Sequence, residues 1–273
     1  MSQDLLPELP ESTASGRIAA IYQEVRVFSG VPYVSSMQRY LATLPGVLEW
    51  AWDAMRPALV SGVVQQTAWR LARSARLESP PPADTVVSGL SAGDVAAIRT
   101  IAANFVRVSP VNLMTGACLR LLLTGTKPAG GGFVGGWTPP PMLPPMPGNV
   151  DPAALPAAER AVLMRFATEM NGAAFVPALY RQLAHWPAVL AWLADALEPL
   201  LHAEPTVAAG ARLRAEARDA AAGIVARLPG LPGTDPPDSA MTARALGAID
   251  RYAHTSPEMT LFGQFILDAL PEG

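Results

Sequence analysis

Apolar side chains recur three and four residues apart along most of the chain, while alternation with a period of two is almost absent. That pattern predicts helices rather than strands. Residues 16–28 set the example: Ile18, Ile21, Tyr22, Val25 and Phe28 share one face, with Glu24 and Arg26 on the other. Val31-Pro32 ends this helix, because the residue before a proline is pushed out of the helical region. A short helix is predicted over 34–43, and Pro45 suits the first position of the next, over 45–74, bent near Ser61-Gly62. Ser91-Ala-Gly-Asp94 has the form of a capping box with Asp in place of Glu. It opens a helix over 93–106, followed by one that starts at Pro110 and runs to 124. Further along, helices are predicted over 156–171, 176–184, from Pro187 onward, over 206–228, 240–252 and 257–270.

The second half repeats the first. Residues 45–59 (PGVLEWAWDAMRPAL) answer 187–201 (PAVLAWLADALEPLL) at a shift of 142, which aligns Trp50 with Trp192 and Asp53 with Asp195. Ser109-Pro110 and Gly116 answer Ser256-Pro257 and Gly263 at a shift of 147. Two matched blocks in the same order indicate a tandem duplication of about 130 residues. The expected fold is therefore all-α, with repeats over 1–125 and 156–273 related by a pseudo-twofold axis. Any site is expected between them, where the copies were free to diverge. Residues 126–155, with GGGFVGGW and PPPMLPPMPG, cannot hold a helix interior and read as a crossing linker, pinned by Trp137, Met142 and Met146. The proline tract lacks the flanking basic residue of an SH3-type ligand.

Composition narrows the function classes. Half of the 273 residues are apolar and 16% are charged, too apolar for a disordered chain. No run of 18 uncharged apolar residues is present, so a membrane span is not expected. Acids at positions 4, 8 and 11 stand where a signal peptide would be basic, which makes the cytoplasm the expected location. A net charge of -3 without a basic stripe gives no footprint for nucleic acid. Cys118 is the single cysteine, and His185, His202 and His254 lack metal-ligand spacing, so neither a disulfide nor a zinc centre is expected.

Four stretches resemble the group I 2-haloacid dehalogenases, those acting on both D- and L-substrates. They are residues 16–52, from GRIAAIYQEVRVF through LATLPGVLEWAW; VLMRFATEM at 162–170; LYRQLAHWPAVL at 179–190; and RLPGLPG at 227–233. The resemblance implies an all-helical pair of repeats, no cofactor and a tendency to form a homodimer. It also implies a reaction in which an Asp between the repeats, helped by an Asn, activates water to displace halide from C2 with inversion. Carried over by position, the Asp becomes Leu179, the Asn becomes Ser109, and the Ser before the Asp becomes Ala178. The pocket aromatics become Tyr33, Ser36 and Ile249.

Leucine cannot take a proton from water. Loss of a positioned base costs about 10²–10⁴-fold in rate, so the resemblance points to a scaffold whose hydrolytic dehalogenation is gone and whose pocket takes another small carboxylic acid or carbonyl compound. Ser109 and Glu169 are the remaining candidates for chemistry, Glu169 being the acid before a stretch, 171–194, that has none. Arg107, Asn112 and Tyr180 join Tyr33, Ser36, Ala178, Leu179 and Ile249 as candidate pocket residues. Ser109 can equally cap a helix starting at Pro110, and Arg39 and Arg181 can anchor a ligand carboxylate as a bidentate fork, although a structural pairing with Asp53 and Asp195 is favoured. Leu179 and the equivalent Met37 are expected to face the pseudo-twofold axis. An active dehalogenase using Glu169 and a non-catalytic helical scaffold are the alternatives.

Overall fold

The computed structural model describes residues 7–77, 80, 83–170, 173–230 and 236–271. The described residues are mostly helical. In chain order they form α1 (Gly16–Ser29), α2 (Ser36–Leu41), α3 (Val47–Val60), α4 (Val63–Ser74), α5 (Asp84–Val87) and α6 (Ala92–Leu123). After a 3-10 turn come α7 (Ala157–Met164), the strands β1 (Thr168–Met170) and β2 (Ala173–Phe175), and then α8 (Ala178–Leu183), α9 (Pro187–Leu201), α10 (Glu204–Arg227) and α11 (Ser239–Ala269). The strands pair antiparallel as one short hairpin where a helix reaching 171 was expected. The helix expected from Pro45 starts instead at Val47, behind Gly46 in a left-handed conformation, and it breaks at Ser61-Gly62.

The shifts seen in the sequence reappear in the element bounds. α2 becomes α8 on adding 142 to both ends, and the start of α6 becomes that of α11 on adding 147. Their capping residues, Ser91 and Asp238, stand at the same shift, and each side chain accepts a backbone N–H of the first turn. Ser91 and Asp94 complete the capping box.

The largest departure from the sequence reading concerns proline. Pro110 and Pro257 do not start helices; α6 and α11 run straight through them. Each proline forfeits a hydrogen bond to the carbonyl four residues back, at a cost of about 3 kcal/mol. The turns that follow each proline are almost completely buried, so apolar burial offsets that cost. Ser109 is consequently inside α6 and caps nothing.

Two apolar cores result, and the long helices are shared between them. The first takes α1, α2, α3, α4 and α10 with the C-terminal half of α6 (Val111 to Leu122) and Ala245, Ala248 and Ile249 of α11. The second takes α7, α8 and α9 with the N-terminal half of α6 (Ile98 to Phe105) and Met259 to Ile266 of α11. Glycines let the long helices approach. A Cβ on Gly116 would lie 3.4 Å from Ile249, and one on Gly263 would lie 3.0 Å from Val106 and 3.3 Å from the Ala102 carbonyl oxygen. Adding 147 turns Gly116 into Gly263 and Ala102 into Ile249, so the two contacts are one contact seen from opposite sides. Over an 18-residue window α6 reaches a mean hydropathy of 1.2, long and apolar enough to cross a membrane by those measures alone, yet it is packed in both cores.

Residues 126–150 are extended and strapped across the body. Trp137 sits on Gly62, where a Cβ would come within 2.3 Å of its ring, and beside Trp69. Met146 packs against the second core, but Met142 is half exposed and pins nothing. Arg107 donates to the carbonyls of Gly30 (3.0 Å) and Pro141 (2.7 Å), and Arg181 donates to that of Val150. The expected pairs with Asp53 and Asp195 do not form. Arg39 pairs with Glu8 at 2.6 Å, Arg17 takes Asp53, and Arg165 takes Asp195.

Candidate functional site

Between α2, α6, α8 and α11 lies a cavity of about 160 Å³. The two shifts pair most of its wall. By shift, Tyr33 corresponds to Phe175, Ser36 to Ala178, Phe105 to Tyr252, Val108 to Thr255, Ser109 to Ser256, and Asn112 to Met259, and all of these line the cavity. Each pair holds one position from each half of the chain, so the cavity sits where the halves meet. The pairs differ chemically: Ser36 has lost its hydroxyl in Ala178, and Asn112 its amide in Met259. Four lining residues, Val34, Met37, Arg39 and Gln182, have partners by shift (Val176, Leu179, Arg181 and Tyr40) that do not line the space. Asn149 enters from the linker.

The polar groups are held in set orientations. Gln38 donates through Nε2 to Asn112 Oδ1 at 3.1 Å, and its own Oε1 accepts from Ser35. Ser36 hydrogen-bonds the Tyr252 hydroxyl and accepts from Arg39 Nη2 at 3.4 Å. Burial pushes the Tyr33 and Tyr252 hydroxyls well above the usual phenol range, with Arg39 opposing the shift at both. Both phenols are therefore neutral donors at physiological pH. Among the described residues no Asp, Glu, His or Cys lines the cavity, and no cluster of three such residues able to hold a metal occurs. The space can orient a small molecule by hydrogen bonds and offers one guanidinium, but the described residues offer it no proton acceptor of the carboxylate or imidazole kind.

No family model matches the chain. A curated relative, the configuration-inverting 2-haloacid dehalogenase of Alcaligenes xylosoxydans xylosoxydans, is 26% identical over 238 residues, covering 83% of this chain and 79% of that protein. This chain is a divergent homologue of the 2-haloacid dehalogenases. Solved structures share the fold. A D-2-haloacid dehalogenase mutant in complex with D-2-CPA matches with a TM-score of 0.71 at 19% identity, over 97% of this chain and 96% of the other. The same kind of enzyme in complex with L-LA matches with a TM-score of 0.60 at 18% identity, over 97% and 92%.

In this homologue the residues singled out from the sequence divide into two sets. Tyr33, Ser36, Ser109, Asn112 and Ala178 come together on the cavity wall. Arg107, Leu179, Tyr180 and Ile249 do not line it. The Arg107 guanidinium is half-buried between the two carbonyls it binds, and burial lowers its pKa. Leu179 is fully buried in the second core, so α8 meets the cavity through its neighbour Ala178 and through Gln182. Tyr180 stacks on Phe166 at 4.2 Å and donates to Glu258 Oε1 at 2.9 Å. Burial holds the Glu258 carboxyl above its ordinary range, and it does not reach the cavity. Ile249 lies in the first core against Gly116. Glu169 belongs to β1, opposite Ala174, but its side chain lies outside the described residues. The sequence reading missed Gln182, Tyr252, Thr255 and Ser256 as wall residues, and for Arg39 it favoured a structural pairing over a ligand contact. The shift of 147 applied to Phe105, Val108 and Ser109 would have found three of them.

Proposed function

We propose that this chain is a tandem duplication whose inter-repeat pocket descends from that of the 2-haloacid dehalogenases, without their hydrolytic step, and that it binds or transforms another small carboxylic acid or carbonyl compound. The observation that carries this reading is the wall itself. Where α8 meets the cavity it presents a methyl group, Ala178, and an amide, Gln182, and among the described residues no carboxylate or imidazole lines the space. Water attacking a carbon–halogen bond needs a base within about 2.6–3.2 Å. Arg39, Tyr33 and Asn112 suit an oxygen-rich ligand instead. A cavity of about 160 Å³ matches the space that holds a benzene-sized molecule in an engineered core. Such an open, polar space speaks against a filled, non-catalytic scaffold.

The test is halide release from D- and L-2-chloropropionate at alkaline pH, beside a thermal-shift screen of short acids and carbonyl compounds. The expected result is no halide above background and a raised melting temperature with one or more of the screened compounds. Glu169 supports the rival reading, since its strand leads through the hairpin to Phe175 on the wall. Halide release that Glu169→Gln abolishes would establish that rival.

A further inference from the structure

We propose that the ligand of this cavity is a small acid carrying a hydroxyl group, which Gln182 selects through its amide oxygen. The proposal rests on the reading of the cavity as an acid-binding pocket. Three of its lining side chains hold buried polar atoms without a hydrogen-bond partner among the described residues: Tyr33 OH, Arg39 Nε and Gln182 Oε1. Buried polar groups are almost always satisfied, so three unmet groups on one wall call for a molecule that meets them. Gln182 is only 8% exposed. Arg39 and Gln182 are also polar wall residues whose counterparts by shift, Arg181 and Tyr40, do not line the cavity.

The unmet groups define the ligand by complementarity. Tyr33 OH and Arg39 Nε are donors and ask for acceptor oxygens, as a carboxylate provides. Gln182 Oε1 is an acceptor and asks for a donor. An ionised 2-haloacid or a plain carboxylate has none, so either would leave the amide oxygen buried and unmet. An ammonium group would serve as a donor, but among the described residues no carboxylate lines the cavity to compensate it, and Glu8 is already engaged by Arg39. A hydroxyl is the donor that enters without a charge. The resulting preference runs against that of a dehalogenase, which converts a halide into an alcohol and must let the alcohol go.

Calorimetric titration of the full-length protein with butyrate, 2-chlorobutyrate, 2-aminobutyrate and 2-, 3- and 4-hydroxybutyrate, in both enantiomers where they exist, tests this. At least one hydroxybutyrate should bind about tenfold or more tightly than butyrate and 2-chlorobutyrate. Gln182→Met should abolish that preference without lowering the ligand-free melting temperature, since it replaces an unmet polar group with an apolar one. Tyr33→Phe should weaken all the acids that bind by a similar factor and keep the preference. Equal affinity for butyrate and every hydroxybutyrate, tighter binding of 2-chlorobutyrate or 2-aminobutyrate, or a preference that survives Gln182→Met would overturn the role of Gln182 and leave the acid pocket standing. If no acid binds at all, the pocket reading fails and this proposal with it.

Discussion

Ala178 and Leu179 are adjacent at the start of α8 and point into different worlds: Ala178 borders the cavity, and Leu179 is sealed in the second core. An acid at each position should therefore behave differently. Leu179→Asp puts a carboxyl among apolar neighbours with no cation near it, so its pKa rises by desolvation and the fold loses several kcal/mol. The sign of the pH effect follows. The unfolded chain gives up the proton near the ordinary aspartate value, whereas the fold holds it to higher pH, so stability of the variant falls as pH rises between the two. Ala178→Asp places the same group on a wall with Arg39 and Tyr33 and should cost roughly 1 kcal/mol. Thermal melts of both variants at pH 4 and pH 8 check this. A Leu179→Asp protein as stable at pH 8 as the parent would mean that position 179 is not in the core.

Among the elements, the two crossing glycines look alike in sequence and differ in the room beside them. Gly116 has space for a methyl group at 3.4 Å from the end of Ile249, whereas Gly263 faces Val106 at 3.0 Å and a carbonyl oxygen of α6 at 3.3 Å. Alanine stabilises a helix interior by about 1 kcal/mol over glycine. Gly116→Ala should accordingly be neutral or stabilising, and Gly263→Ala should be destabilising by about 1–3 kcal/mol, because backbone cannot yield as a side-chain end can. Chemical denaturation of the two variants separates them, and equal effects would contradict the packing. The helices themselves were largely legible from periodicity, down to the break at Ser61-Gly62 and the capping box at Ser91. Pro110 and Pro257 misled because proline acts locally as a helix breaker, while the burial that overrides it comes from partners far along the chain. The hairpin at 168–175 was invisible for a related reason: three-residue strands are too short to show a period.

For the whole molecule, the sequence carried two shifts, and those shifts locate most of the cavity wall pair by pair. What they could not convey is that the two halves of the chain do not each keep a core of their own. Ile98, Ile101, Ala102 and Phe105 from the first half complete the second core, while Leu213, Ile224, Val225 and Ile249 from the second half complete the first. Arg107, an apparent pocket cation, was likewise taken by the linker because a buried guanidinium needs acceptors and the strap supplies a carbonyl. This exchange of half-helices makes a clear prediction. Each large apolar side chain left in water forgoes about 1.5–3 kcal/mol, and a fragment of residues 1–125 would lose the α10 and α11 side of its core while exposing the first half of α6. That loss exceeds the 5–15 kcal/mol by which ordinary domains are stable. Residues 1–125 and 126–273 expressed separately should each lack a cooperative thermal transition by circular dichroism. Co-expressed, they should purify together and melt as one unit. A cooperative transition from residues 1–125 alone would show that the first repeat is a domain in its own right and that the shared core is dispensable.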